Sequence, residues 1–366
     1  MAYGFGIIGC GLIGRFHARA IQDVSGAKLI GCYNRTPQKG AQLAAEFNCT
    51  AYSSLDALLA NPAIQIVTVA TPSGAHQEPA VAAARAKKHV IVEKPLEITL
   101  RRCDAIIAAC QKHNVQLATI FPSRFHDAAG EIKRAVEENR FGKLTLGNAS
   151  VKWFRTQQYY DSGAWRGTWE LDGGGALMNQ AIHSVDLLAW FMGPVAEVRA
   201  QTATLAHERI AVEDVCVAAL QFANGALGTI EATTAAFPGR LKRIEVSGSA
   251  GTAIMEEEDM KAWDFLQPQR RDRTILARMA ERQSTGGGAS DPAAIGHHGH
   301  ARQIADFVAA LKQGRAPQID GSEGRRAVEI ILAIYKAAES GRPVALPLAS
   351  DPVLKSRRVQ AAEPHA

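Results

Sequence analysis

No apolar run in this chain approaches the roughly 18 residues that a membrane-spanning helix needs, so a membrane protein is not expected. No CxxC pair and no regular spacing links the six cysteines, Cys10, Cys32, Cys49, Cys103, Cys110 and Cys216. Most of them sit in apolar runs, as small buried thiols do in a reducing compartment. No basic n-region or cleavage site precedes the strand at Tyr3–Ile8, so a secretion signal is not expected and a cytoplasmic location is. The net charge of +5 is scattered, and no basic stripe is interleaved with aromatics, which argues against nucleic acid as a partner. Neither a repeat nor the composition of a disordered chain is present. What remains is a soluble protein of 366 residues, long enough for two domains and a large core.

Over the first 120 or so residues two periods alternate. Short apolar runs at Phe5–Ile8, Lys28–Tyr33, Ile64–Ala70, His89–Val92 and Gln116–Phe121 predict strands buried on both faces. Amphipathic stretches between them predict helices, as in a parallel, doubly wound sheet. From about Gly142 the pattern changes to short strands, such as Val212–Phe222 and Ala226–Thr234, joined by turns of the Asn224-Gly225 kind. That indicates an antiparallel sheet. A helix is expected at Ala176–Met192 and a pair at His300–Gly314 and Ser322–Gly341. Thr285–Gly299, with its triple glycine, reads as a mobile loop. The expected organisation is an α/β Rossmann domain at 1–122, an α+β domain with an open, mainly antiparallel sheet at 123–346, and a tail at 347–366.

Gly9-Cys10-Gly11-Leu12-Ile13-Gly14 follows a strand and opens a helix, the context in which GxGxxG signals dinucleotide binding. The first glycine permits the tight turn, the second lets the backbone approach the pyrophosphate, and the third packs helix on strand. The N–H groups of the helix start face the phosphate charge. The second strand ends in Asn34-Arg35-Thr36, without the acidic residue that favours NAD. Arg35 suits a 2′-phosphate and Asn34 can donate a hydrogen bond, so the cofactor is NADP or NAD with a lean toward NADP. Thr71 and Pro72, at the carboxyl end of a later strand, are expected to touch the cofactor, as are His76, Glu93 and Lys94. Glu93-Lys94-Pro95 ends the next strand, and a residue before proline is held extended, which aims Lys94 out of the sheet end. In the second half, Asn179, His183 and Asp186 follow Gly173-Gly174-Gly175 at i, i+4 and i+7, on one helical face. A histidine between an amide and a carboxylate, just after glycines that allow close approach, points to a site.

These motifs give the chain a resemblance to the glucose–fructose oxidoreductase/inositol dehydrogenase/MocA family. The likeness covers nearly the whole length, from the glycine fingerprint through Thr71-Pro72, Glu93-Lys94-Pro95 and the GGGxLxNxxxHxxD segment to Gly341-Arg342-Pro343-Val344. It implies a Rossmann domain followed by a domain whose open sheet face commonly makes an oligomer interface, hence a homodimer or homotetramer. It also implies NAD(P)-dependent oxidation of a secondary hydroxyl of a sugar, cyclitol or sugar derivative. Lys94 would hold and polarise the hydroxyl and His183 would take its proton, near-neutral histidine being suited to that. Lys94 is the alternative acid–base group if its surroundings depress its pKa. Many members carry aspartate where this chain has Asn179, which can orient substrate but not take a proton.

Aromatics crowd Trp153–Trp169, and Trp165 with Arg166 are expected to touch the substrate, ring against sugar and guanidinium against an anion. Arg124 is expected to do the same. His297-His298-Gly299-His300 has no cysteine or suitably spaced carboxylate to complete a site, so no metal is expected. Two other functions stay open. One is a redox-neutral, NAD-dependent glycoside-cleaving enzyme; the other is a nucleotide-sensing protein without turnover, whose signature would be loss of Lys94 or His183.

Overall fold

The computed structural model describes residues 2–281, 289 and 296–354. They fall into two units, Met1–Pro122 with Gly296–Val328 and Ser123–Ile295 with Glu329–Ala366. In the first, β1 (Tyr3–Ile8), α1 (Leu12–Asp23), β2 (Ala27–Tyr33), α2 (Pro37–Phe47), β3 (Thr50–Tyr52) and α3 (Leu55–Ala60) alternate. They are followed by β4 (Ile66–Val69), α4 (Gln77–Arg85), β5 (His89–Val92), α5 (Leu100–Lys112) and β6 (Leu117–Thr119). The strands pair parallel in the order β3-β2-β1-β4-β5-β6. The order reverses between β1 and β4, the place where such sheets bind ligands beyond their carboxyl ends. All four residues of β4 are buried, as a central parallel strand covered on both faces requires. Strand β3 was not expected; three residues are too few to carry a periodic signal.

The second unit begins with α6 (Asp127–Glu137), β7 (Leu144–Lys152) and α7 (Gln157–Asp161). A π-helix at Ala176–Ala181 leads directly into α8 (Ile182–Met192). There follow β8 (Val195–Ala203), β9 (Val215–Phe222), β10 (Leu227–Thr233), β11 (Arg243–Gly248), β12 (Gly251–Glu256), β13 (Asp259–Phe265) and α9 (Asp272–Glu281). Later in the chain come α10 (His298–Gln313), which belongs to the first unit, then α11 (Gly321–Ser340) and β14 (Val344–Ala345). The sheet runs β13-β12-β11-β7-β10-β9-β8-β14. Only β7 and β10 pair parallel in it, so the open, mainly antiparallel sheet is present.

The expected division needs two corrections. Residues 296–328, assigned to the second domain from sequence, belong to the first unit. There α10 buries Ile304, Phe307 and Val308 in one core with Phe5, Ile7 and Ile21. Each such side chain contributes about 1.5–3 kcal/mol relative to exposure. Gln303 completes the join: its Oε1 accepts the Phe121 N–H at 3.0 Å and its Nε2 donates to the Thr119 carbonyl at 2.7 Å. The segment after Pro347 is also not all tail, because Leu348 and Leu354 are buried and the Leu348 N–H donates to Glu329 at 2.9 Å. Most of the Thr285–Gly299 loop, and residues 355–366, lie outside the described residues.

Candidate active site

Beyond β1, Gly9 turns the chain at φ +100°, where a side chain would be strained. A Cβ at Gly9 would stand 2.4 Å from the Ala70 carbonyl oxygen, and one at Gly14 would stand 2.2 Å from that of Gly9. Gly11 is different: nothing lies within 4 Å of its would-be Cβ. Its missing side chain serves no packing need in the protein and leaves the approach to α1 open. The α1 N-terminus has no side-chain cap and no acidic residue in its first turn. The N–H groups of Leu12, Ile13 and Gly14 thus lack intrahelical partners and suit an anion. This cradle fits a dinucleotide diphosphate.

Asn34 is occupied otherwise than expected. Its Oδ1 accepts the Cys10 N–H at 2.9 Å and its Nδ2 donates to the Thr36 carbonyl at 3.1 Å. Both ends of the amide are engaged, so Asn34 holds the glycine turn to the end of β2. Arg35 is exposed and makes no ion pair among the described residues. Thr71 donates its hydroxyl to the Ala75 carbonyl at 2.8 Å, and Pro72 beside it is half-buried.

Parallel register aligns Ile8 with Val69 and Val69 with Val92. The turns that start at Gly9, Ala70 and Glu93 therefore leave the same sheet edge side by side. With strands about 4.8 Å apart, the Glu93-Lys94 turn lies roughly 10 Å from Gly9. His76, expected at the cofactor, is 1% exposed, with Nδ1 2.9 Å from the Pro95 carbonyl and Nε2 2.9 Å from that of Thr71. It clamps two of these turns together and is a positioning group. Lys94 is half-buried before a cis proline, and its N–H donates to Glu93 Oε2 at 3.0 Å.

Glu93 is itself buried between His17, which sequence reasoning missed, and His300. His17 Nε2 lies 2.8 Å and His300 Nε2 3.4 Å from Glu93 Oε1. Burial pushes the Glu93 carboxyl up, but hydrogen bonds from both histidines outweigh it and hold it well below the usual carboxylate range. Burial lowers His17, which is neutral there. No carboxylate stands at a recognisable sequence spacing from the His297–His300 run, but the fold brings two to it: Glu93 faces His300, and Asp23 lies 2.8 Å from His297. His17, Glu93 and His300 have the composition of a metal site. The Nδ1 atoms of His17 and His300, however, have no hydrogen-bond partner among the described residues. A metal on Nε2 would strand two buried N–H donors there, whereas donation from Nε2 to Glu93 leaves only bare lone pairs. The group is a hydrogen-bonded support for the Lys94 backbone.

In the second unit one buried carboxylate organises the glycine turn. Glu213 accepts from the Gly175 N–H at 2.9 Å, the Leu177 N–H at 2.8 Å and the Tyr335 hydroxyl at 2.9 Å. Burial nevertheless pushes its carboxyl up to about 7. A Cβ on Gly175 would lie 1.8 Å from the Glu213 carbonyl oxygen, so only glycine fits. Pinned this way, the chain leaves the turn as a π-helix. The single α-helical face predicted for Asn179, His183 and Asp186 is broken: Asn179 and His183 are half-buried, while Asp186 is 2% exposed. Asn179 donates its amide to Asp172.

Arg124, expected at the substrate, is committed elsewhere. It is 6% exposed, and its Nε donates to Asp186 Oδ2 at 2.8 Å with NH2 on Oδ1 at 2.5 Å. Its guanidinium also covers the Trp190 ring at 5.1 Å. It braces α8 from behind His183. Of the aromatics in the 153–169 stretch, Trp153, Tyr160 and Trp169 are core, while Phe154, Tyr159 and Trp165 are half-buried, as is Arg166.

Comparison with known proteins agrees with both halves. Residues 3–121 match the model of an oxidoreductase family with an NAD-binding Rossmann fold, and residues 130–254 match the GFO/IDH/MocA C-terminal domain. The chain is 28% identical to the myo-inositol 2-dehydrogenase of Thermotoga maritima, over 93% of this chain and 98% of that protein. It is also 28% identical to the 2,7-anhydro-N-acetylneuraminate hydratase of Escherichia coli, over 62% and 60%. The WlbA dehydrogenase of Bordetella pertussis, solved with NADH and UDP-GlcNAcA, superposes with a TM-score of 0.87 at 34% identity, covering 95% of this chain and 98% of that one. A glycine cradle with an uncapped helix start, a lysine on the same sheet edge and whole-length likeness to dehydrogenases converge: the chain belongs to the GFO/IDH/MocA family of NAD-dependent oxidoreductases acting on CH–OH groups.

Proposed function

We propose that Lys94 and His183 carry the oxidation of a secondary hydroxyl on a sugar, cyclitol or sugar derivative. The observation that carries this is the register of β1, β4 and β5, which sets Lys94 on the same sheet edge as the Gly9–Gly14 cradle. NAD(P), when bound, accepts the hydride from the carbinol carbon. Leu12, Ile13 and Gly14 hold its diphosphate through their N–H groups, and Thr71 and Pro72 line the next turn. Lys94 donates a hydrogen bond to the substrate oxygen and favours its negative charge as the proton leaves. His183 receives that proton, and Asn179 orients a neighbouring hydroxyl. Glu93 and His76 act on substrate only through Lys94, by holding the turn that carries it.

Preference between NADP and NAD turns on Arg35, an exposed cation just after β2 whose charge suits a 2′-phosphate; the NADH found with the Bordetella pertussis enzyme supports NAD. Assembly as a homo-oligomer is supported by Leu146, Leu227 and Val217, exposed on one face of the eight-stranded sheet, and light scattering tests it. The hydratase relative keeps one second reading open, redox-neutral cleavage through transient hydride abstraction. The sensor reading loses its signature, because Lys94 and His183 are both present.

The deciding experiment is fluorescence titration with NADH and NADPH, then an oxidation panel of myo-inositol, aldoses and UDP-linked sugars read at the reduced-nicotinamide absorbance. Turnover that disappears in Lys94→Ala while cofactor affinity is kept supports the proposal. Product release without net reduced cofactor favours the redox-neutral reading. Failure to bind either cofactor overturns both.

A further inference from the structure

The substrate half of the site holds a guanidinium with work left over. Arg166 lies with its Cζ 4.2 Å from the Tyr159 ring centroid and 4.6 Å from that of Trp165. One amino group donates to the Tyr159 hydroxyl at 2.6 Å. Gln180 Nε2 donates to the same hydroxyl at 3.0 Å, so a single phenol joins Arg166 to the π-helix that presents Asn179 just ahead of His183. Among the described residues, the Nε–H and second amino group of Arg166 donate to no acceptor, and no carboxylate lies within ion-pair distance of it. Stacking on two rings fixes the group in advance, so little side-chain entropy is lost when a ligand arrives.

A second cation stands behind it. Arg155 is 2% exposed, with its Cζ 5.5 Å from the same Tyr159 ring and 5.0 Å from Trp153. It donates to the Phe154 carbonyl at 2.8 Å, the Ala289 carbonyl at 3.2 Å and Gln180 Oε1 at 3.2 Å. Burial lowers the Arg155 pKa, and the nearby charge of Arg166 acts in the same direction. Asp172 is committed: its Oδ2 accepts the Gly167 N–H at 2.9 Å and its Oδ1 accepts from Asn179. Asp161 and Glu208 pair with Arg209. Arg155, buried, and Arg166, half-buried, flank one tyrosine, and the charge of Arg166 at that edge favours an anion.

We infer that Arg166 is a specificity residue that reads a carboxylate on the sugar, so that the preferred substrate is an acidic sugar and not a neutral polyol. This rests on the dehydrogenase reading above. The Nε–H and amino group still available form the planar edge that a carboxylate meets with two parallel hydrogen bonds. A tetrahedral phosphate meets the same edge, so the experiment separates the two anions.

The test uses the full chain with cofactor and five probes: D-glucose, D-glucuronate, glucose 6-phosphate, UDP-glucose and UDP-glucuronate. Steady-state oxidation is read with NAD(P)+, and binding to the NADH-loaded protein is read by calorimetry. The wild type should favour each uronate over its neutral counterpart by about 100-fold in affinity or kcat/KM, as expected when a built polar site meets a ligand lacking its partner. Arg166→Ala should reduce that ratio to a few-fold through KM with kcat largely kept, and Arg166→Lys should fall between, since an ammonium lacks the fork. Equal treatment of acid and neutral members overturns the inference. So does an equal loss on both in Arg166→Ala, the mark of a merely structural arginine, or a preference that follows phosphate in place of carboxylate. NADH affinity and melting temperature of both variants establish that they fold. Acid-selective binding without any turnover would sink the dehydrogenase reading and leave this one standing; turnover of neutral sugars without acid preference would do the reverse.

Discussion

Replacing Gly175 by alanine adds one methyl group where the chain has no room. The φ of Gly175, −106°, lies outside the left-handed region, and the close approach to Glu213 is what excludes a side chain. The new Cβ would begin 1.8 Å from the Glu213 carbonyl oxygen, against the 3.0 Å below which real Cβ contacts essentially never fall. One side must therefore retreat by about 1.2 Å in a closely packed interior. Overpacking of this kind costs about 1–3 kcal/mol. The retreat also pulls on the Gly175 and Leu177 N–H groups that hold Glu213, and so on the π-helix that sets Asn179 and His183. A displacement near 1 Å of groups that orient the reacting centre lowers turnover about 100-fold. Gly175→Ala should accordingly lose about two orders of magnitude in kcat/KM while NADH affinity, a property of the first unit, stays within about twofold. Steady-state kinetics and fluorescence titration on one preparation measure both. Wild-type kcat/KM in a folded Gly175→Ala protein would refute the argument that this turn fixes the catalytic geometry.

Gly11→Ala is the mirror image: its Cβ meets no protein atom, so melting of the cofactor-free protein should be unchanged while NADH affinity falls at least tenfold, about 1.4 kcal/mol. Calorimetry would show the reverse pattern if Gly11 were a packing residue. Glu213 titrates at about 7 in the fold against an ordinary 4.5, so the native state keeps a proton that the unfolded chain has released. Its contribution is complete below pH 4.5 and disappears as pH rises through 7, an effect of about 3 kcal/mol. Denaturant melts at pH 5 and pH 8 should show most of that loss in the wild type and little of it in Glu213→Gln; parallel behaviour of the two proteins contradicts the assignment. Asp186→Ala leaves Arg124 buried without its carboxylate and should cost about 3–5 kcal/mol, whereas Arg124→Met combined with Asp186→Leu should recover most of it. Thermal melts decide between these outcomes.

The parts of this molecule that were legible from sequence are those whose chemistry is local. Gly9 and Gly14 are required by close contacts beside a strand end and Gly11 by the open approach to the helix start, while the lysine of Glu93-Lys94-Pro95 lies at a strand end that its own apolar run defines. What escaped was set by distant partners. Nothing near His17 indicates that it donates to a carboxylate 76 residues away. The i, i+4, i+7 reading of Asn179, His183 and Asp186 assumed an α-helix, but Glu213, well downstream, pins the turn that starts a π-helix. Arg124 looked available because its partner is 62 residues further on. The apolar stripe of α10 was visible, yet a stripe reveals that a helix packs and not against which sheet.

The Gln303 amide has a consequence in time. It satisfies the Thr119 carbonyl and the Phe121 N–H, beside the last strand of the parallel sheet, from 182 residues downstream of Phe121. During synthesis, 182 residues beyond Phe121 must be made before that amide exists, and the apolar side chains of α10 follow with it. Until then the nascent nucleotide-binding sheet carries an unprotected margin and an unfilled flank, the kind of surface on which chains aggregate. The unit made first is therefore among the last to be finished, and its maturation is coupled to translation of the rest.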